Sequence, residues 1–135
     1  MIIAIRTDKP ESELYLLDAA GAIKKEYKWL ADRKLADTII PNLRELIKNQ
    51  NLNWQQITGV IVFTGQGSFT GLRIGTTVAN ALSYSLNIPV VKSAGSNWQE
   101  LGTQRLTTKH PQKYIVPDYA SAPNITKPKL TKGQK

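Results

Sequence analysis

The chain has 135 residues, 41% of them hydrophobic, which suffices for one core of moderate size and excludes a large two-lobed enzyme. It has no cysteine and a single histidine, His110, so disulfide frameworks, zinc ribbons, thiol nucleophiles and histidine-based metal centres drop out. The net charge of +8 is uneven: residues 1–106 hold 12 basic and 9 acidic side chains, residues 107–135 six lysines and one acid.

Ile2 to Ile5 is a continuous apolar run, the pattern of a strand buried on both faces. Charge interrupts it too early for a signal peptide, and no apolar run reaches membrane-spanning length, so a cytoplasmic chain is expected. Glu13 to Ala19 and Ala22 to Trp29 are two further strands around a turn at Ala20-Gly21. Asp8, Glu11 and Glu13 cluster near a turn, where solvated carboxylates are expected.

From Leu35 the apolar residues Leu35, Ile39, Leu43, Leu46 and Ile47 recur at helical spacing. Pro41 is expected to bend or restart this helix, and Asp32 or a neighbour to cap it. Asn49 to Gln56 is polar and turn-like, and Gly59 to Phe63 is a short buried strand ending at a glycine cluster. A second helix over Gly71 to Leu86 carries Leu72, Ile74, Val78, Ala79, Leu82 and Leu86, with Arg73, Thr77, Asn80 and Tyr84 gathered on one stripe. Asn87-Ile88-Pro89 ends it, a strand begins at Pro89-Val90-Val91, and Ser96 caps a last helix running to Arg105.

The order, three strands, helix, strand, helix, strand, helix, predicts an α/β fold with a mixed sheet and packed helices, a single ribonuclease-H-like lobe over residues 1–106. Residues 107–135 are rich in proline and lysine, without periodicity, and read as a basic extended or disordered tail. Such a tail is drawn to nucleic acid through counterion release, and such tails also serve simply as solubilising ends. Trp29, Trp54 and Trp98 are too dispersed for a base-stacking motif and read as packing or rim residues.

Gly65-Gln66-Gly67-Ser68-Phe69-Thr70-Gly71-Leu72-Arg73-Ile74-Gly75 lies between a buried strand and a helix. It lacks the lysine of a Walker loop and the spacing of a dinucleotide fingerprint. Two readings stand. In one, it is a tight connection in which Gly67 and Gly71 adopt positive φ and Phe69 packs into the core. In the other, its amides and the helix N-terminus hold an anion, with Ser68 or Thr70 donating or capping.

As a string, this segment resembles the Gly-Pro-Gly-Ser-Phe-Thr-Gly-Leu-Arg-Ile-Gly signature of the bacterial TsaB (YeaZ-like) family at every position except Gln66, where the family has proline. The likeness extends more loosely from Met1 to about Val91, through an Ile-x-Ala-Ile strand, a hairpin, a proline-containing helix and Asn-Ile-Pro-Val. It implies one lobe of the actin and sugar-kinase superfamily and a non-catalytic scaffold without a cofactor or metal. Such a scaffold pairs with the catalytic subunit TsaD for threonylcarbamoyl transfer to the adenosine beside the tRNA anticodon, and an ATPase, TsaE, joins the pair.

The implied partner-facing elements are Leu35 to Gln50 and Gly71 to Leu86, with Leu35, Ile39, Ile40, Leu43, Ile47, Gly71, Leu72, Arg73, Ile74, Thr77, Asn80, Ala81 and Tyr84 as contacts. Gly65, Gly67, Ser68, Phe69, Thr70, Gly71 and Gly75 form the loop that fixes the second helix. Apolar and small residues occupy about half of that helix, wider than a core stripe of roughly 100°, which suits either a partner or burial of both sides within the domain.

The chain departs from the family pattern in two places. At the end of the first strand, Arg6-Thr7-Asp8 replaces Asp-Thr-Ser, and a cation there cannot ligate Mg²⁺. Family members also continue into a second lobe. Here the stretches Tyr114 to Ala120 and Pro123 to Pro128 resemble the family's closing segment directly, as though the lobe were deleted, which exposes surface and favours a homodimer in isolation. The alternatives are a basic RNA-binding module and the remnant of an ATP-dependent transferase.

Overall fold

A computed structural model describes residues 1–108, so the expected tail, His110 and the resemblance at Tyr114 to Pro128 lie outside the described residues. Five strands, β1 (Ile2–Arg6), β2 (Glu11–Leu17), β3 (Ile23–Leu30), β4 (Gly59–Phe63) and β5 (Val90–Ser93), form one sheet in the order β3-β2-β1-β4-β5. β1 pairs antiparallel with β2 and parallel with β4, and β4 pairs parallel with β5. The helices α1 (Leu35–Asn49), α2 (Phe69–Leu86) and α3 (Trp98–Leu106) complete the α/β lobe. This is the element order expected from the sequence. Among the described residues no helix is long and apolar enough to cross a membrane.

The sheet is buried on both faces at its centre, and alternation along each strand divides the core in two. Ile3, Ile5, Leu14, Leu16, Val60 and Val62 face α1 and α2, where they meet Leu35, Ile39, Leu43, Leu46, Ile47 and Ala79. Ile2, Ala4, Tyr15, Leu17, Ile61 and Phe63 face the other way, onto Trp98 of α3. The tryptophans are packing residues as expected, with Trp98 buried and Trp29 and Trp54 partly buried against the first core.

Local chemistry departs from expectation at the helix starts. α1 does not restart at Pro41, which sits on its exposed face within one continuous helix. The carbonyl of Asp37, deprived of its intrahelical donor, lies on that wet side. Asp32 is no side-chain cap: it opens a short 3-10 turn, Asp32–Lys34, that feeds α1 directly. Ser96 does not cap α3 either, because the cap position belongs to Asn97 and makes no side-chain hydrogen bond. The stretch after α1 contains a second 3-10 turn, Trp54–Gln56, closed by reciprocal bonding between Asn53 and Gln56. Asn87 ends α2 in the left-handed conformation, as its place before Ile88-Pro89 suggested.

Candidate functional site

The glycine-rich connection seats the N-terminus of α2 against the end of β1. Ser68 caps α2 by accepting a hydrogen bond from the Gly71 amide at 3.1 Å, and its own amide donates to the Asp8 carbonyl at 2.8 Å. Thr7 Oγ1 donates to the Gly71 carbonyl at 2.6 Å. Gly71 lies inside the first turn of α2 and does not need positive φ, contrary to expectation. What it needs is the absence of a side chain: a Cβ there would meet the Thr7 carbonyl oxygen, and one at Gly75 would meet the Thr7 hydroxyl. Gly67 does adopt a positive φ, 158°, where a Cβ would meet Asp8. Phe69, expected in the core, is instead exposed.

On the α3 face of the sheet, the Arg6 guanidinium binds both Asp8 carboxylate oxygens, at 2.9 and 3.2 Å, and lies 3.9 Å from the centre of the Phe63 ring. The hydrogen bond to Asp8 makes Arg6 hold its proton more tightly than an ordinary arginine. Asp8 and Glu13 are buried, which corrects their expected solvated state. Glu13 accepts a hydrogen bond from Tyr15 at 2.5 Å and faces Lys9 at 3.8 Å. The donor set at the end of β1 does not fit a divalent metal, because the carboxylate nearest the strand is already committed to a cation. Among the described residues no group of three His, Cys, Asp or Glu side chains is placed to hold one.

Tyr15 packs edge-to-face on Trp98 at 5.8 Å, and its phenol pKa is raised, first by burial and then by the bond to Glu13. The folded state therefore keeps this proton while the unfolded chain loses it near pH 10. The associated stability is present below pH 10 and declines above it, with a limiting slope of about 1.4 kcal/mol per pH unit. Urea titrations of Tyr15→Phe and the parent chain between pH 9 and 11 are expected to show a shallower decline in the variant. Equal slopes would remove Tyr15 from the alkaline transition.

The third region is the outer face of α1 and α2. Ala36, Ile39 and Ile40 of α1 with Thr70, Arg73, Ile74, Thr77 and Val78 of α2 line a groove of about 440 Å³. Arg73, Thr77, Ala81 and Tyr84 form an exposed stripe along α2, with Tyr84 89% exposed, and Asn80 and Ile74 are half-buried beside it. The predicted contact set divides here. Leu35, Ile39, Leu43, Ile47, Gly71 and Leu72 are buried. Leu35, Ile39, Leu43 and Ile47 have their side chains against the lobe's own sheet, so these cannot offer a broad surface to another protein; Ile39 reaches only the groove floor. Ile40, Arg73, Ile74, Thr77, Asn80, Ala81 and Tyr84 remain as the accessible part. Ala36 and Val78 belong with them and were missed, although Ala36 lies one helical turn before Ile40 and Val78 one turn after Ile74.

The family model for TsaD, tRNA N6-adenosine threonylcarbamoyltransferase, matches residues 29–93. The tRNA threonylcarbamoyladenosine biosynthesis protein TsaB of Bacillus subtilis is 37% identical over 89 residues, 66% of this chain and 38% of that protein. TsaB of Haemophilus influenzae is 34% identical over 62 residues, 46% of this chain and 26% of its own length. The fold matches YeaZ from Pseudomonas aeruginosa with a TM-score of 0.63 at 24% identity, over 69% of this chain and 43% of that one. The chain thus spans under half the length of these relatives, and within that span its sequence is similar to the TsaB proteins and its fold to YeaZ.

Proposed function

We propose that the chain acts in tRNA threonylcarbamoyladenosine biosynthesis as a non-catalytic scaffold that holds a TsaD-type catalytic subunit through the outer face of α1 and α2. The observation that carries the reading is the groove between those helices, flanked by exposed Ile40 and by the Arg73-Thr77-Ala81-Tyr84 stripe. An apolar groove with an arginine in its wall and an exposed aromatic further along the same helix has the composition of a helix-docking surface. The likeness to TsaB proteins and to the TsaD family supports the pathway and the partner type.

The Arg6–Asp8 pair favours the scaffold over a nucleotide-dependent transferase, since the end of β1 is occupied by a cation bonded to its own carboxylate. In this reading the TsaE-type ATPase joins through the complex, tRNA is met indirectly or through the basic residues after 107, and the chain is cytoplasmic. Alone, it pairs with a second copy through the same face.

Light-scattering chromatography of the full chain mixed with TsaD from the same source, beside each protein alone, tests the proposal. A mixed complex of defined mass is the expected result. Failure to associate at micromolar concentrations would overturn it. Salt-sensitive tRNA binding by the chain alone, lost on deleting the residues after Thr107, would then favour the RNA-binding alternative.

A further inference from the structure

β3 forms one end of the sheet, and among the described residues no strand lies beyond it, so its outer row of N–H and C=O groups faces outward. The other end is closed differently: β5 is four residues long, α3 packs against it, and Arg105 donates a hydrogen bond to the Lys92 carbonyl. β3 has eight residues, all exposed except the half-buried Trp29. Ile23, Tyr27 and Leu30 on this one strand are half of the large hydrophobic side chains left exposed among the described residues.

Lysine is a common device for keeping a sheet edge from pairing, and β3 has three lysines against one glutamate. Their positions favour pairing of a particular kind. Registry with β2 puts Lys25, Tyr27 and Trp29 on the face of α1 and α2. It puts Ile23, Glu26, Lys28 and Leu30 on the face of α3, where the register shift between Leu16 and Leu17 brings Ile23 into line with Leu30. When a second β3 is laid antiparallel with Tyr27 opposite Tyr27, the side chains meet complements. Glu26 faces Lys28 twice, Lys25 faces Trp29 twice, and Leu30 comes beside Ile23 at both ends. Opposite charges, a cation against an aromatic and apolar neighbours each favour a cross-strand contact. Centring the two-fold on Glu26 or on Lys28 instead sets like charges directly opposite each other, so one register stands out.

We propose that a second copy of this chain pairs with β3 in that register, joining the two five-stranded sheets into one. The contact is isologous and uses up both open edges, so assembly through it stops at a dimer. It leaves the outer face of α1 and α2 free, and its test does not depend on the docking of TsaD.

Sedimentation velocity of the full chain and of charge variants reads the contact, with every chain also carried on Tyr84→Asp to remove pairing through the helices. The parent is expected to dimerise at submillimolar concentration. Glu26→Lys and Lys28→Glu each set two pairs of like charges opposite one another and should weaken dimerisation about tenfold, whereas mixing the two variants pairs opposite charges again and should restore it. Lys28→Glu also stands opposite Glu13 of β2, so the melting temperature of each variant is measured beside its mass. Oxidation of single-cysteine variants gives a second readout that does not depend on charge, in a chain with no cysteine of its own. Tyr27→Cys should form a covalent dimer, and Glu26→Cys or Lys28→Cys alone should not. A mixture of folded charge variants that dimerises no better than its components would overturn the proposal, as would cross-linking that is equal at all three positions. So would a monomeric parent, which would leave the edge to a strand of another protein.

Discussion

Replacing Gly71 with valine is expected to destabilise the lobe by roughly 3 kcal/mol, at the upper end of the cost of overpacking a close contact. The added Cβ would occupy the space of the Thr7 carbonyl oxygen, and relief requires moving α2 away from β1. That movement also breaks the hydrogen bond from Thr7 Oγ1 to the Gly71 carbonyl and the one from the Ser68 amide to the Asp8 carbonyl. Gly71→Ala separates the causes. Helix propensity alone makes alanine better than glycine by about 1 kcal/mol, whereas the contact with Thr7 makes it worse. Urea unfolding of both variants decides the sign, and a Gly71→Ala chain more stable than the parent would show that β1 yields easily at this point.

Tyr84→Asp should weaken association with TsaD at least about thirtyfold, the equivalent of roughly 2 kcal/mol for losing an aromatic anchor and placing a charge in its contact. Tyr84 is 89% exposed and belongs to neither half of the core, so the variant's melting temperature should stay with the parent's. Titration calorimetry or light scattering of the mixture reads the affinity. Undiminished binding would exclude the distal end of α2 from the interface. An equal change at Ile40→Asp, on α1, would show that both walls of the groove are engaged.

The strands and helices were legible because they carry their own periodicities. Ile2 to Ile5 and Gly59 to Phe63 are apolar without alternation, as befits strands covered on both faces, and both proved buried along their length. The glycine segment was legible as a whole string, since several glycines at fixed spacing answer to one close approach of α2 to Thr7 and Asp8. Single caps were not. Asp32 and Ser96 have the side chains of cap residues, but the backbone places other residues at the helix starts.

The candidate interface was half legible. Helical spacing identifies an apolar face on α1 but carries no information about what covers it, and Leu35, Ile39, Leu43 and Ile47 turned out to be covered by the lobe's own sheet. Phe69 is the opposite case, an aromatic that opens α2 and remains exposed.

The amino-acid sequence by itself determined the element order, the α/β class and the likeness to the TsaB family, because each is local or rests on a contiguous string. Only the tertiary structure decided which side of α1 and α2 is free, and that Arg6 closes on Asp8. The free side of α1 and α2 depends on residues distant in the chain brought together by the parallel pairing of β1 with β4, a meeting that no local pattern encodes, whereas Arg6 and Asp8 stand two residues apart and only their side-chain geometry had to be seen.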